Sequence, residues 1–96
     1  MGLNSVIISG NVASDIELNG IKATFRLAVQ RQYKENGVRK ADFVTVACWA
    51  EQAEFAVKHI SKGDLVEVRG VIRQKEFERY EIKAEQIELV RKGERK

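Results

Sequence analysis

Apolar side chains recur at every second position through five stretches of this chain. Between Leu3 and Val12, Val6, Ile8, Gly10 and Val12 share one face, while Ser5, Ser9 and Asn11 lie on the other with Ile7. A period of two marks a strand with a buried face. From Ile21 to Arg31, Ala23, Phe25, Leu27 and Val29 alternate with Thr24, Arg26, Ala28 and Gln30. From Ala41 to Trp49, Val44, Val46 and Cys48 suit a core, and Phe43, Thr45, Ala47 and Trp49 face away. A fourth strand over Asp64 to Lys75 sets Val66, Val68, Gly70 and Ile72 against Glu67, Arg69, Arg73 and Lys75. Gly70 in mid-strand points to a bend or bulge. A fifth, from about Phe77 to Leu89, has the inward set Tyr80, Ile82 and Ala84. Its parity changes before Ile87 and Leu89, as a bulge would cause.

The period shifts once. Ala53, Ala56, Val57 and Ile60 fall at helical spacing within Ala50 to Ile60, and Lys62-Gly63 supplies a stop. Asn19-Gly20 and Asn36-Gly37 are turn signals, the second within a polar connection from Gln32 to Lys40. Three strands, one helix and two strands form the layout of an all-β, five-stranded Greek-key barrel of the OB type, with its helix between strands 3 and 4. At 96 residues the chain holds one domain, read as residues 1–90, followed by a basic tail at 91–96 that is expected to be disordered.

Charge changes the picture less than the net +3 suggests. The last six residues set Arg91, Lys92, Arg95 and Lys96 against Glu94 and account for all of it, so the body is balanced. Only the placement of charge can therefore argue for a partner. Cys48 has no second cysteine for a disulfide, and with the lone His59 it cannot build a metal site, so no metal and no cofactor are expected. No glycine loop for phosphate and no placeable carboxylate pair is present, which argues against an enzyme. No apolar stretch is long enough for a membrane span, and the N-terminus has no signal-peptide pattern. A cytoplasmic, nucleoid-associated protein is expected.

Four aromatics lie where a purely structural protein would place polar groups. Phe43 and Trp49 occupy the non-core face of the third strand, Phe77 follows the parity of Arg73 and Lys75, and Tyr33 stands between Arg31 and Lys34. Exposed rings can stack on any nucleobase, and basic neighbours can track the phosphates; single strands suit this because their bases splay outward. The other reading is a second apolar face covered by helix, loop or another subunit. Trp49, directly before the helix, fits either. Phosphate contact is expected from Arg31, Lys34, Arg39 and Lys40 in the hairpin, with Arg73 and Lys75. Leu3, Ser5 and Ile7 share one face of a first strand that is apolar on both sides, and they are the expected subunit contacts of a homo-oligomer.

The run Asn4-Ser5-Val6-Ile7-Ile8-Ser9-Gly10-Asn11-Val12, followed by Asp15-Ile16-Glu17, resembles the opening of bacterial single-stranded DNA-binding proteins. Ala23-Thr24-Phe25-Arg26-Leu27-Ala28-Val29, Ala41-Asp42-Phe43-Val44-Thr45-Val46, Gln52-Ala53-Glu54 and Lys62-Gly63-Asp64-Leu65-Val66 with Val68-Arg69-Gly70 look like their later elements. The resemblance implies sequence-tolerant binding of single-stranded DNA in replication, recombination and repair, on aromatic platforms that fall at Tyr33, Phe43, Trp49 and Phe77. It also implies a homotetramer built from dimers.

The chain departs from the family in having Ile16 where proline is usual, a short segment between Leu18 and Lys22, and a hairpin cut back around Glu76 to Arg79. It ends in Arg95-Lys96 rather than in the acidic tip by which the family recruits replication and repair proteins: either the chain is a truncated form, or it is a minimal or mobile-element version that lacks recruitment. The alternative is a primosomal-type OB domain that works by binding protein partners.

Overall fold

The computed structural model of the chain describes residues 2–94. Its elements are β1 (Val6–Val12), β2 (Glu17–Asn19), β3 (Lys22–Glu35), β4 (Val38–Trp49), α1 (Glu51–His59), β5 (Leu65–Glu76) and β6 (Arg79–Arg91). The strands hydrogen-bond in the order β1-β5-β6-β4-β3-β2, and β1 also pairs with β3. Five strands thus close on themselves, as expected, with the helix following the β4 strand. The short β2 is an addition: Gly20, at a φ of 65°, folds Glu17–Asn19 back along Lys22–Thr24.

Two glycines let the ring close. The β1 strand runs along β5 and then turns onto β3, where Asn11 and Val12 meet Ala28 and Leu27. Gly10 sits just before that crossing, and a Cβ there would collide with the Ala28 carbonyl. At Gly70 a Cβ would run into the Lys83 carbonyl. Gly70 faces Ala84 while Arg69 faces Gln86, which leaves Glu85 as the extra residue. This bulge is the parity change read before Ile87.

The core joins Phe25, Leu27, Val46, Val66 and Val68 to Val12, Ile82 and Ile87, with Ala53, Ala56 and Ile60 of α1 packed against them. Cys48 is buried there too, and burial pushes its thiol up to about 11, so it behaves as a small hydrophobe.

Three residues assigned to the inner face are exposed instead: Val57, Ile72 and Tyr80. The reason for the last two lies in the seam. The β4 and β6 strands are parallel and paired only at Val46–Ile82 and Ala47–Lys83. Beyond those pairs the β5–β6 hairpin leaves the barrel as a two-stranded ribbon, so its inner parity has little to pack against. Val57 looks across a groove toward Leu18 and Ile21 rather than into the barrel.

The β3 and β4 strands also run past the barrel. The region read as a polar connection is mostly strand, reversed at Asn36 and Gly37, which both have positive φ. Such a turn matches the twist of a hairpin.

The boundary drawn after residue 90 falls inside β6, which runs to Arg91. Lys92 then donates from Nζ to Oδ2 of Asp64 at 2.9 Å and to the His59 carbonyl at 3.0 Å. The Gly93 N–H donates to Oδ1 of Asp64 at 2.8 Å, and the Ser61 N–H to Oδ2 at 2.9 Å. Asp64 is fully buried. Burial alone would raise its carboxyl, but the donors from Gly93, Lys92 and Ser61 outweigh it and hold the group at about 2. Arg95 and Lys96 of the expected tail lie outside the described residues.

Candidate nucleic-acid interface

The outer face of β4 lies between two strands that bring cations to it. Antiparallel pairing sets Trp49 opposite Lys22, Thr45 opposite Arg26 and Phe43 opposite Ala28. On the other side, the parallel seam sets Lys83 beside Ala47. Small residues between the rings keep the surface low, and Ala47 itself is fully covered. Phe43 and Trp49 are six positions apart on one strand face, roughly 20 Å at about 3.3 Å per residue.

Each ring carries cations. The Arg26 guanidinium lies 5.3 Å from the centre of Phe43. Around Trp49 stand Lys22 at 5.3 Å, Arg73 at 5.6 Å and Lys83 at 5.7 Å. Phe43 is 55% exposed and Trp49 half-buried. The surface can therefore offer π-faces bordered by positive charge, the arrangement that stacks bases while drawing phosphates.

The other two rings lie on the protruding hairpins. Tyr33 is 60% exposed near the end of β3, within the stretch between Gln30 and Lys34 where the β3–β4 register shifts. Phe77 follows the parity of Arg73 and Lys75 in sequence, but it occupies the two-residue turn of the β5–β6 hairpin and is 83% exposed. Glu78 beside it carries the positive φ of that turn.

The basic hairpin is more self-occupied than its sequence suggests. Arg31 pairs with Asp42 at 2.9 Å and with Glu35 at 3.5 Å. The hydrogen bond from Arg31 holds the exposed Asp42 carboxyl below its ordinary range. Lys40 pairs with Glu35 at 3.3 Å, and Arg39 donates to the carbonyls of Arg31 and Gln32. Lys34 and Lys75 are exposed on their hairpins, and Arg73 joins the Trp49 group.

Sequence reasoning missed Lys22 and Lys83, and it read Arg26 only as a face residue. Parity could have singled out Arg26. Lys22 and Lys83 are recognisable only through the cross-strand register.

Leu3 is almost wholly exposed and Ile7 is 64% exposed, with Ser5 exposed between them. Asn4 exchanges two hydrogen bonds with the backbone of Ile72, which extends the β1–β5 edge. His59 packs tilted against Phe55 at 5.1 Å, away from the rings just described.

Comparison with known proteins bears on the family and the fold. The model of the single-strand binding protein family matches residues 3–92. Single-stranded DNA-binding protein 3 of Clostridium acetobutylicum is 33% identical over 105 residues, covering 95% of this chain and 73% of that protein. The single-stranded DNA-binding protein of Streptococcus pneumoniae is 39% identical over 82 residues, covering 79% of this chain and 53% of its own length. Among solved structures, the small single-stranded DNA-binding protein from Streptomyces coelicolor superimposes with a TM-score of 0.75 at 24% identity, over 93% of this chain and 94% of that one. That likeness concerns the fold.

Proposed function

This chain belongs to the single-strand binding protein family, and we propose that it binds and shields single-stranded DNA during replication, recombination and repair. Its work is binding rather than catalysis. Bases stack on Phe43 and Trp49, and the strand continues toward Tyr33 and Phe77 on the two hairpins. Lys22, Arg26, Arg73 and Lys83 meet the phosphates beside the central rings, with Lys34 and Lys75 further out. The single observation that carries this reading is the cation-bordered pair of rings on the outer face of β4. Aromatic faces accept every base, so binding tolerates sequence, and a duplex hides the faces that the rings require. The exposed Leu3, Ser5 and Ile7 support assembly of several copies through their first strands, with four as the expected number.

Titration with a homopyrimidine oligonucleotide and with a duplex of equal length, at one salt concentration, tests the proposal. Quenching of Trp49 with far tighter binding of the single strand is expected. Equal affinity for both forms refutes it, and absence of any salt-dependent oligonucleotide binding would favour a protein-interaction module.

A further inference from the structure

Glu81 stands on this basic face, and among the described residues one of its carboxylate oxygens is left without a donor. It lies in β6 beside the seam with β4, cross-strand from Arg73 in β5. Only 5% of it is exposed, and its Oε2 has no hydrogen-bond partner among the described residues. The guanidinium of Arg73 is engaged at Trp49, 5.6 Å from that ring. Burying a carboxylate without a donor is unfavourable, and an ionised carboxylate can only accept hydrogen bonds. A group in this state fits a site that receives its donor from a ligand.

The surroundings indicate which ligand. Glu81 lines a cavity of about 160 Å³ with Phe43, Thr45, Ile72 and Tyr80. The cavity opens where β4 and β6 part company after their two paired positions. A base stacked on Phe43 would have its edge next to this opening. Cytosine, adenine and guanine each present an exocyclic amino donor. Thymine and uracil place a carbonyl oxygen at that position instead, which sets lone pairs against lone pairs and leaves only the ring N3–H as a donor.

We propose that Glu81 is a specificity-determining residue that accepts a hydrogen bond from the exocyclic amino group of the base stacked on Phe43. The chain then favours amino-bearing bases at one position in an otherwise sequence-tolerant groove. This inference rests on the reading that Phe43 stacks bases.

The test compares homo-oligomers of deoxycytidine and deoxyuridine of one length, which differ in the 4-substituent and in the proton that uracil carries on N3. Affinity is measured by competition at one salt concentration and mildly alkaline pH, for the unaltered protein and for Glu81→Gln. The unaltered protein should prefer the cytosine oligomer by about ten-fold, the scale of one charge-assisted hydrogen bond. Glu81→Gln keeps the shape and can both donate and accept, so the preference should fall to within about two-fold. Equal affinities in the unaltered protein, or a ratio unchanged by Glu81→Gln, overturn the inference while leaving single-strand binding intact. Failure of both oligomers to bind overturns it together with the proposed function. The comparison in the unaltered protein decides the point even if the variant does not fold.

Discussion

Lys22 and Trp49 face each other across the β3–β4 ladder, with the lysine Nζ 5.3 Å from the centre of the indole. Lys83 reaches the same ring from β6 and Arg73 from β5. Three strands thus concentrate positive charge around one stacking surface. The hairpin cations Arg31 and Lys40 are instead engaged with Asp42 and Glu35. Replacing Lys22 and Lys83 together by Gln should therefore flatten the dependence of log affinity on log salt by about one to two units. The pair Arg31→Gln and Lys40→Gln should flatten it less. Salt titrations that rank the two double variants the other way would move the phosphate path to the hairpin.

Phe43→Ala separates binding from packing. The ring is more than half exposed and lies outside the buried cluster. Truncation should weaken single-strand binding by about 1–3 kcal/mol, the usual contribution of a stacked base. Its melting temperature should stay close to that of the unaltered protein. A drop typical of a core deletion with unchanged DNA affinity would show the ring to be structural.

Ala50 joins β4 to α1 at a φ of 54° and a ψ of −120°, a conformation that a Cβ disfavours. Its N–H still donates to the Ile21 carbonyl at 2.9 Å, so the surrounding structure holds it there. Ala50→Gly should relieve the strain and raise stability by on the order of 1 kcal/mol, less the chain entropy that glycine costs. Chemical denaturation reads this directly, and a lower midpoint with an unchanged slope would contradict it.

Asp64 links acid stability to the contacts that Lys92 and Gly93 make with it. Its folded carboxyl is held at about 2, below the ordinary value of about 3.9. Because the folded value is depressed, the stabilisation is complete above about pH 4 and is lost as pH falls toward 2. Asp64→Asn should lower the melting temperature at pH 7 and flatten its decline across that acid window. Loss of the carboxylate leaves the Gly93 and Ser61 N–H groups poorly satisfied, at a cost on the order of 1–3 kcal/mol. An unchanged acid limb in Asp64→Asn would place the acid-sensitive group elsewhere.

Ile7 tests assembly. It is 64% exposed on β1, and pairing first strands around a two-fold axis would cover it. Light scattering at micromolar concentration should give about four times the 10.9 kDa of one chain. Ile7→Arg should reduce that mass by placing like charges at the contact. A mass near one chain for the unaltered protein refutes assembly.

Strand faces, turns and the bulge were legible in the sequence because they are local properties. Alternation assigns Phe25 and Leu27 inward and Phe43 outward, whatever their neighbours prove to be. The Asn36-Gly37 turn needs only two residues that tolerate positive φ, and both have it. The bulge at Glu85 showed as a parity slip before Ile87. Which residues stand together is decided by register and closure, and those depend on every strand at once. Lys22, Arg73 and Lys83 come from three different strands, and only the ring of pairings brings them to Trp49. Tyr80 has core parity but is exposed, because β6 leaves β4 after two paired positions. Glu81 has polar parity but is buried beside the β4–β6 seam, cross-strand from Arg73. Periodicity specifies which way a side chain points; what it meets there is decided by the closed barrel.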